Sequence, residues 1–264
     1  MRWDPAQYSR YNDERGRPFV DLLARIEHAS PRRIVDLGCG PGNLTALLAA
    51  RWPSAVVEGL DSSPEMISRA APADRVSFRV EDVAAWTMPP DADVVISNAT
   101  LQWVSGHQQL LRQWASSLPP GGWLAVQVPG NFGAPSHTLM RSLATSPRWA
   151  PLTADVLRHH DAVGSPADYA TLLLDAGLSV DVWETTYLHL LAGPDPVLDW
   201  MCGTGLRPVL AALADQAAPG PGGPRPAADV FEAEYAAALR KAYPATEHRT
   251  LFPFRRIFAV AHKP

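Results

Sequence analysis

Two cysteines, Cys39 and Cys202, give neither a disulfide framework nor a metal-ligand spacing. Lysine is as scarce: Lys241 and Lys263 are the only two, so nearly all positive charge is arginine. That favours two-pronged recognition of carboxylates, although a biased genome composition explains the excess equally well. The formal net charge of −4 offers no basic field to nucleic acid. No uninterrupted apolar run is as long as a membrane span, and Met1-Arg2-Trp3-Asp4-Pro5 lacks the apolar core of a signal peptide. The expected location is cytoplasmic, with no membrane and no nucleic-acid partner. Internal repeats are absent too. Against these absences stands an apolar fraction of 47% in 264 residues, enough for one large α/β domain or one domain with an insertion.

The stretch that organises the chain is Ile34-Val35-Asp36-Leu37-Gly38-Cys39-Gly40-Pro41-Gly42-Asn43-Leu44. An apolar run ends in a Gly-rich turn and an Ala/Leu-rich segment follows, which reads as strand, turn, helix. The glycines leave no side chain between backbone and ligand, and the helix expected from about Asn43 to Trp52 points free N–H groups at the same space. This is a cradle for a small polar cofactor. The dinucleotide fingerprint G-x-G-x-x-G fits poorly, because the third Gly comes one residue early, at Gly42, and Asp36 sits at the turn's entry.

Further strands are expected at Arg33–Leu37, Ala55–Leu60, Val76–Val80, Asp93–Ser97 and Trp123–Val128. Helices lie between them, one capped by Ser63 with Pro64 at its first position, another from about Gln108 to Leu118. This rhythm predicts a parallel sheet with right-handed crossovers and a ligand crevice at the strands' carboxyl ends. The Gly turn, Asp61, Asp82 and Asn98 all fall at such ends. Asp61, about twenty residues past the turn, suits ribose hydroxyls; Asp82 suits an adenine amine, or else caps a helix before Ala84-Ala85-Trp86. Ahead of the first strand, Phe19–Ile26 has helical spacing behind an aromatic arm. Beyond Val128, helices are expected at Ser136–Leu143 and Ala167–Ala176, the latter closed by Gly177, and strands at Leu178–Leu191 and Phe254–Ala261. The run Ala218-Pro219-Gly220-Pro221-Gly222-Gly223-Pro224-Arg225-Pro226 is expected to be a loop without regular structure. His159-His160 reads as solvated loop.

The run D-L-G-C-G-P-G-N at 36–43 resembles the first motif of class I S-adenosylmethionine-dependent methyltransferases. Over almost the whole chain the sequence also resembles the bacterial trans-aconitate 2-methyltransferase family. The segments that carry this are the arm with Trp3, Pro5, Tyr8, Arg15 and Arg17-Pro18; L-D-S-S-P-E-M at 60–66; N-A-T-L-Q-W at 98–103; V-Q-V-P-G-N-F at 126–132 with Pro135-Ser136-His137; V-D-V-W-E-T-T-Y at 180–187 with His189; Asp199-Trp200; T-G-L-R-P at 204–208; and F-P-F-R-R-I-F at 252–258. The resemblance implies a Rossmann-like α/β fold: a seven-stranded, mostly parallel sheet with an antiparallel edge hairpin, in a single domain over 1–264. An N-terminal helical arm at 1–30 and a helical lid or cap insertion at 191–253 over the active site complete it. The implied chemistry is methyl transfer from S-adenosyl-L-methionine to a carboxylate of trans-aconitate, leaving the monomethyl ester and S-adenosyl-L-homocysteine.

Donor-binding candidates are Asp36, Gly38, Cys39, Gly40, Asn43, Asp61, Ser62, Met66, Asp82, Val83 and Asn98. For the polycarboxylate they are Tyr8, Tyr11, Arg15, Gln102, Trp103, His137, Tyr187, His189, Arg207 and Arg256. A carboxylate is already nucleophilic at neutral pH, so no general base is required and no metal is expected; Tyr8, Trp103 and Arg207 serve positioning. Alignment of oxygen, methyl carbon and sulfur supplies the acceleration, and a dry pocket favours the charge-cancelling transition state. Either a monomer or a homodimer suits this chemistry. Competing readings are methylation of another small acid, hydroxyl or amine, a non-catalytic cofactor-binding module, and a nicotinamide dehydrogenase. Nucleic-acid amino methylation is disfavoured, since Asn98-Ala99-Thr100-Leu101 replaces the Asn/Asp-Pro-Pro-aromatic motif.

Overall fold

The computed structural model describes residues 12–153, 156–157, 162–220 and 223–264. The elements, in order, are α1 (Asn12–Ala24), β1 (Arg33–Leu37), α2 (Thr45–Arg51), β2 (Val56–Asp61), α3 (Pro64–Ile67), β3 (Val76–Val80), β4 (Ala92–Asn98), α4 (His107–Ser117) and β5 (Trp123–Pro129). After these come α5 (Pro135–Ala144), α6 (Ala150–Thr153), α7 (Pro166–Asp175), β6 (Ser179–Leu191), α8 (Pro196–Cys202), α9 (Arg207–Leu213), β7 (Ala217–Gly220), β8 (Gly223–Pro226), α10 (Ala227–Ala242) and β9 (Thr250–His262). The chain divides into two compact units. The sheet unit holds the described residues up to Pro129 with Val163–Thr185 and Arg256–Pro264; the second unit holds Gly130–Ala162 and Thr186–Arg255.

Seven strands form one sheet in the order β3-β2-β1-β4-β5-β9-β6. β1 through β5 pair in parallel, and β9 runs antiparallel to β5 with Gln127 opposite Phe258 and Pro129 opposite Arg256. Strand β4 is buried along Ala92–Ser97, as a central parallel strand covered on both faces must be. One face packs Val35, Leu37, Val95, Leu124 and Val126 against Leu111 and Trp114 of α4 and Tyr169, Leu172 and Leu173 of α7. Helix α1 covers β5 within the same unit. It runs through Pro18, seven residues earlier than the expected start at Phe19. A proline inside a helix costs about 3 kcal/mol; complete burial of Phe19, Leu22 and Ile26, each contributing roughly 1.5–3 kcal/mol, offsets it. The cap expected at Ser63 is present, its side chain accepting from the Met66 N–H; Ser165 with Asp168 adds a reciprocal capping box at α7.

In the second unit α10 packs on α5 and α8. The Tyr235 hydroxyl donates to the Ser136 carbonyl at 2.6 Å and the Tyr243 hydroxyl accepts from the Ser136 N–H at 3.0 Å. One expectation is overturned here. The Pro/Gly-rich run is not irregular: β7 and β8 pair antiparallel, with Ala218 opposite Arg225 and Pro219 opposite Pro224. A two-stranded ribbon leaves each strand one unpaired edge, where a residue without an N–H does no harm. Arg148 fastens the ribbon by donating to the Pro219 carbonyl while pairing with Glu234. Among the described residues no helix is long and apolar enough to cross a membrane.

Candidate active site

The Gly turn is a knot before it is a cradle. The N–H groups of Gly38 and Cys39 donate to the Leu60 carbonyl at 2.7 and 2.9 Å, and that of Gly42 to the Cys39 carbonyl. The Gly40 N–H donates to Asp61 Oδ2 at 2.9 Å. The other Asp61 oxygen accepts the Ser63 N–H at 2.9 Å. Asp61 thus ties the turn to the start of α3. Burial raises its pKa, and the Ser63 and Gly40 donors oppose that rise.

The glycines serve different ends. Gly38 has φ +80°, and a Cβ there would lie 2.0 Å from Thr100 Oγ1. That hydroxyl donates to the carbonyls of Gly38 and Asn98 at 3.3 and 3.2 Å. At Gly42 the ring of Phe78 fills the corresponding space. Gly40, at φ +56°, has nothing within 4 Å of its Cβ position. It alone of the three opens its backbone to a ligand.

Asp36 lies beneath the turn, 2% exposed, and accepts from Thr45 Oγ1 at 2.6 Å. Burial pushes its carboxyl up to about 7, with the Thr45 bond opposing and the Asp61 charge adding to the rise. Cys39 is buried and burial raises its thiol pKa, so it stays protonated and is no nucleophile. Helix α2 starts at Thr45, two residues past the expected Asn43, which is exposed, as is Ser62. Met66 is buried in α3. Exposed Asp82 accepts the Ala84 N–H at 2.9 Å in a local turn, with no helix after it. Val83 belongs to the apolar core, which leaves its backbone for any ligand.

Asn98 closes β4. Ala99, at φ +55°, turns the chain there, a conformation that is uncommon outside glycine. Gln102 is buried and its Nε2 donates to the Ala99 carbonyl, while Trp103 ends the short 3-10 helix Leu101–Trp103 half-buried. Arg256 is buried on β9. Thr45 and Thr100, which shape this rim, are not among the sequence-predicted site residues; Thr100 stood only within the N-A-T-L-Q-W run at 98–103, and Thr45 only by its place just after the Gly turn.

In the second unit, family-particular segments converge. The His189 ring stacks on Trp200 at 4.8 Å and lies parallel to Tyr187 at 6.3 Å, with Phe252 and Phe254 at 6.4 and 6.0 Å. His137 packs against Phe132, shares a 3.1 Å hydrogen bond between Nδ1 and Ser136 Oγ, and has its Nε2 3.6 Å from where a Gly205 Cβ would sit. Burial, then the Arg141 charge, lowers His137 to about 4, so it is neutral near pH 7. Arg207 opens α9, half-buried. Tyr8 and Tyr11 lie outside the described residues, as do His159, His160 and the side chain of Arg15. No cluster of metal-ligating side chains occurs among the described residues.

A parallel sheet with an antiparallel member, a Gly turn after β1 and an acid at the end of β2 define an S-adenosylmethionine-dependent methyltransferase of class I. The methyltransferase-domain family matches residues 8–181. The chain is 56% identical over 272 residues to the trans-aconitate 2-methyltransferase of Streptomyces avermitilis, covering 99% of this chain and 97% of that one. It is 54% identical over 261 residues to the Rhodococcus jostii protein of the same name, covering 98% of each. The chain belongs to the trans-aconitate 2-methyltransferase family. At the level of fold alone, it is similar to phosphoethanolamine N-methyltransferase 2 of Haemonchus contortus in complex with S-adenosyl-L-methionine. That match has TM-score 0.52 and 17% identity, and spans 94% of this chain and 52% of that one.

Proposed function

We propose that this chain transfers the methyl group of S-adenosylmethionine to a carboxylate of trans-aconitate, yielding the monomethyl ester. The observation that carries this is the identity of 50–56% to relatives of that name along nearly the whole chain, both units included. The residues at the rim fit the donor. Asp36 is a buried carboxyl pushed up to about 7, which is where an acid stands when it lacks a counter-cation. Gly40 leaves room for close approach.

When bound, the donor supplies a methyl group on a sulfonium sulfur. Asp36 and Gly40 frame its amino-acid part, with Gly38 holding the turn in shape, and a cation there holds Asp36 ionised. Asp61 accepts from the ribose hydroxyls; its oxygens each accept one backbone N–H, and a carboxylate has roughly four acceptor positions in all. Asp82 and the Val83 backbone take the adenine. The acceptor needs no base, so this chain's part is to bind and orient it. Arg207, Arg256 and Arg15 supply forked donors to its carboxylates. Tyr8, Tyr11, Gln102, Trp103, Tyr187 and His189 supply walls and hydrogen bonds. Neutral His137 can offer a hydrogen bond but no charge.

A labelled-methyl assay against a panel of di- and tricarboxylic acids tests the reading. Label should enter trans-aconitate as a base-labile ester. Transfer confined to hydroxyl or amine acceptors would sink it, and transfer to a different polycarboxylate would keep the chemistry and replace the substrate.

A further inference from the structure

Gln127 is a polar residue in the buried strand Trp-Leu-Ala-Val-Gln-Val-Pro of β5. It is 0% exposed, and neither atom of its amide has a hydrogen-bond partner among the described residues. Packing does not account for it, because methionine or leucine would fill similar space without desolvating an amide. Its backbone carbonyl holds the Ala99 N–H at 2.9 Å, so the residue also anchors the left-handed turn after β4.

The register says what surrounds it. Gln127 stands opposite Asn98 on β4 and opposite Phe258 on β9. Residues opposite one another in a ladder project to the same face, as do residues two apart on one strand. Asp36 pairs with Ile96, two before Asn98, and Arg256 lies two from Phe258. One face of the sheet therefore carries, in strand order, Asp36, Asn98, Gln127 and Arg256. Asn98 Oδ1 is also buried without a partner among the described residues. Asp36 marks the end of this row suited to a cation. Gln127 lies two strands away, about 10 Å at ordinary strand spacing, on the diagonal from the buried Arg256, about 7–8 Å between such neighbours. A neutral N–H donor near a fixed positive charge recognises an anion.

We infer that Gln127 is a further specificity residue, whose amide N–H donates to a carboxylate oxygen of the acceptor acid alongside Arg256. The inference rests on the proposed function. It is tested with full-length protein carrying Gln127→Met, apolar and of similar length, or Gln127→Glu, of the same shape but charged. Gln127→Met should raise KM for the acid about thirty-fold and leave the donor KM within about twofold. Its Tm should be unchanged or higher, because an unpaired buried amide has gone. Gln127→Glu should raise the acid KM further, to about a hundred-fold or more, by setting a second carboxylate against the first. An unmoved acid KM in Gln127→Met overturns the inference. So does a fall in Tm with both KM values rising together, or a variant that fails to fold, since each assigns Gln127 to packing. Wild-type protein that methylates no polycarboxylate overturns this inference together with the proposed function; wild-type turnover with an unmoved Gln127→Met overturns this one alone.

Discussion

Polar groups are held differently at the Gly turn of the sheet unit and in the aromatic cluster of the second unit. At the Gly turn they are carboxylates: buried Asp36 held by the Thr45 hydroxyl, half-buried Asp61 held by the N–H groups of Gly40 and Ser63. In the second unit they are imidazoles among rings: His189 on Trp200 and beside Tyr187, His137 against Phe132. Acids held by neutral donors retain an attraction for a cation. Neutral His137 brings no charge to the second unit. On the proposed function, the acids of the Gly turn meet the cationic donor and the arginines meet the acid.

The largest expected effect separates two glycines of one turn. Gly38→Ala combines a left-handed backbone with a collision against Thr100 and should cost about 3 kcal/mol or more in thermal unfolding. Gly40→Ala meets only the backbone penalty, about 1 kcal/mol, and should instead weaken donor binding. Equal losses of stability would erase the distinction between knot and opening. Next, Asp61→Ala should raise the donor dissociation constant about a hundred-fold in calorimetry, through lost charge-assisted bonds; an unchanged constant removes it from the site. Arg207→Ala should raise KM for the acid about tenfold, with the donor KM moving less than twofold and Arg207→Lys recovering only part. Equal small shifts in both constants would remove Arg207 from the proposed site.

The smallest effect is a pair of opposed slopes. Asp36 binds its proton more tightly folded than unfolded, from 3.8 up to about 7, so its contribution to stability is lost as pH rises through that window. His137 binds its proton less tightly folded, from 6.5 down to about 4, so its contribution is lost as pH falls. Between about pH 4.5 and 6.5 the two oppose each other. Asp36→Asn should leave stability rising with pH over that range, and His137→Gln should leave it falling, in urea titrations. Parallel slopes in the two variants would show that burial does not set these acidities.

Much of the sheet unit was legible because its signals are local. Apolar runs of five to seven residues, Ser63-Pro64 and Gly177 announce strands and helix ends by short-range rules, and the strands lie where expected within a few residues, whereas α1 starts seven residues early. The ribbon at 217–226 was not legible, because counting prolines ignores which edge each one faces. Gln127 was visible as one polar letter among apolar ones, yet its meaning required knowing that Asn98 and Phe258 are its neighbours. The second unit's aromatic cluster gathers residues 187, 189, 200, 252 and 254, which no periodicity connects.

The sequence by itself determined the alternation of strands and helices, the Gly turn and the acids at strand ends, because hydrophobic period and backbone stereochemistry act between near neighbours. Only the tertiary structure decided that Thr100 fills the space at Gly38 while Gly40 stays open. It also decided that Asp36 is buried deeply enough to titrate near neutrality, and that Gln127 shares a face with Asn98 and Arg256. Those are consequences of strand order and register, and both are set by packing between segments distant in the chain.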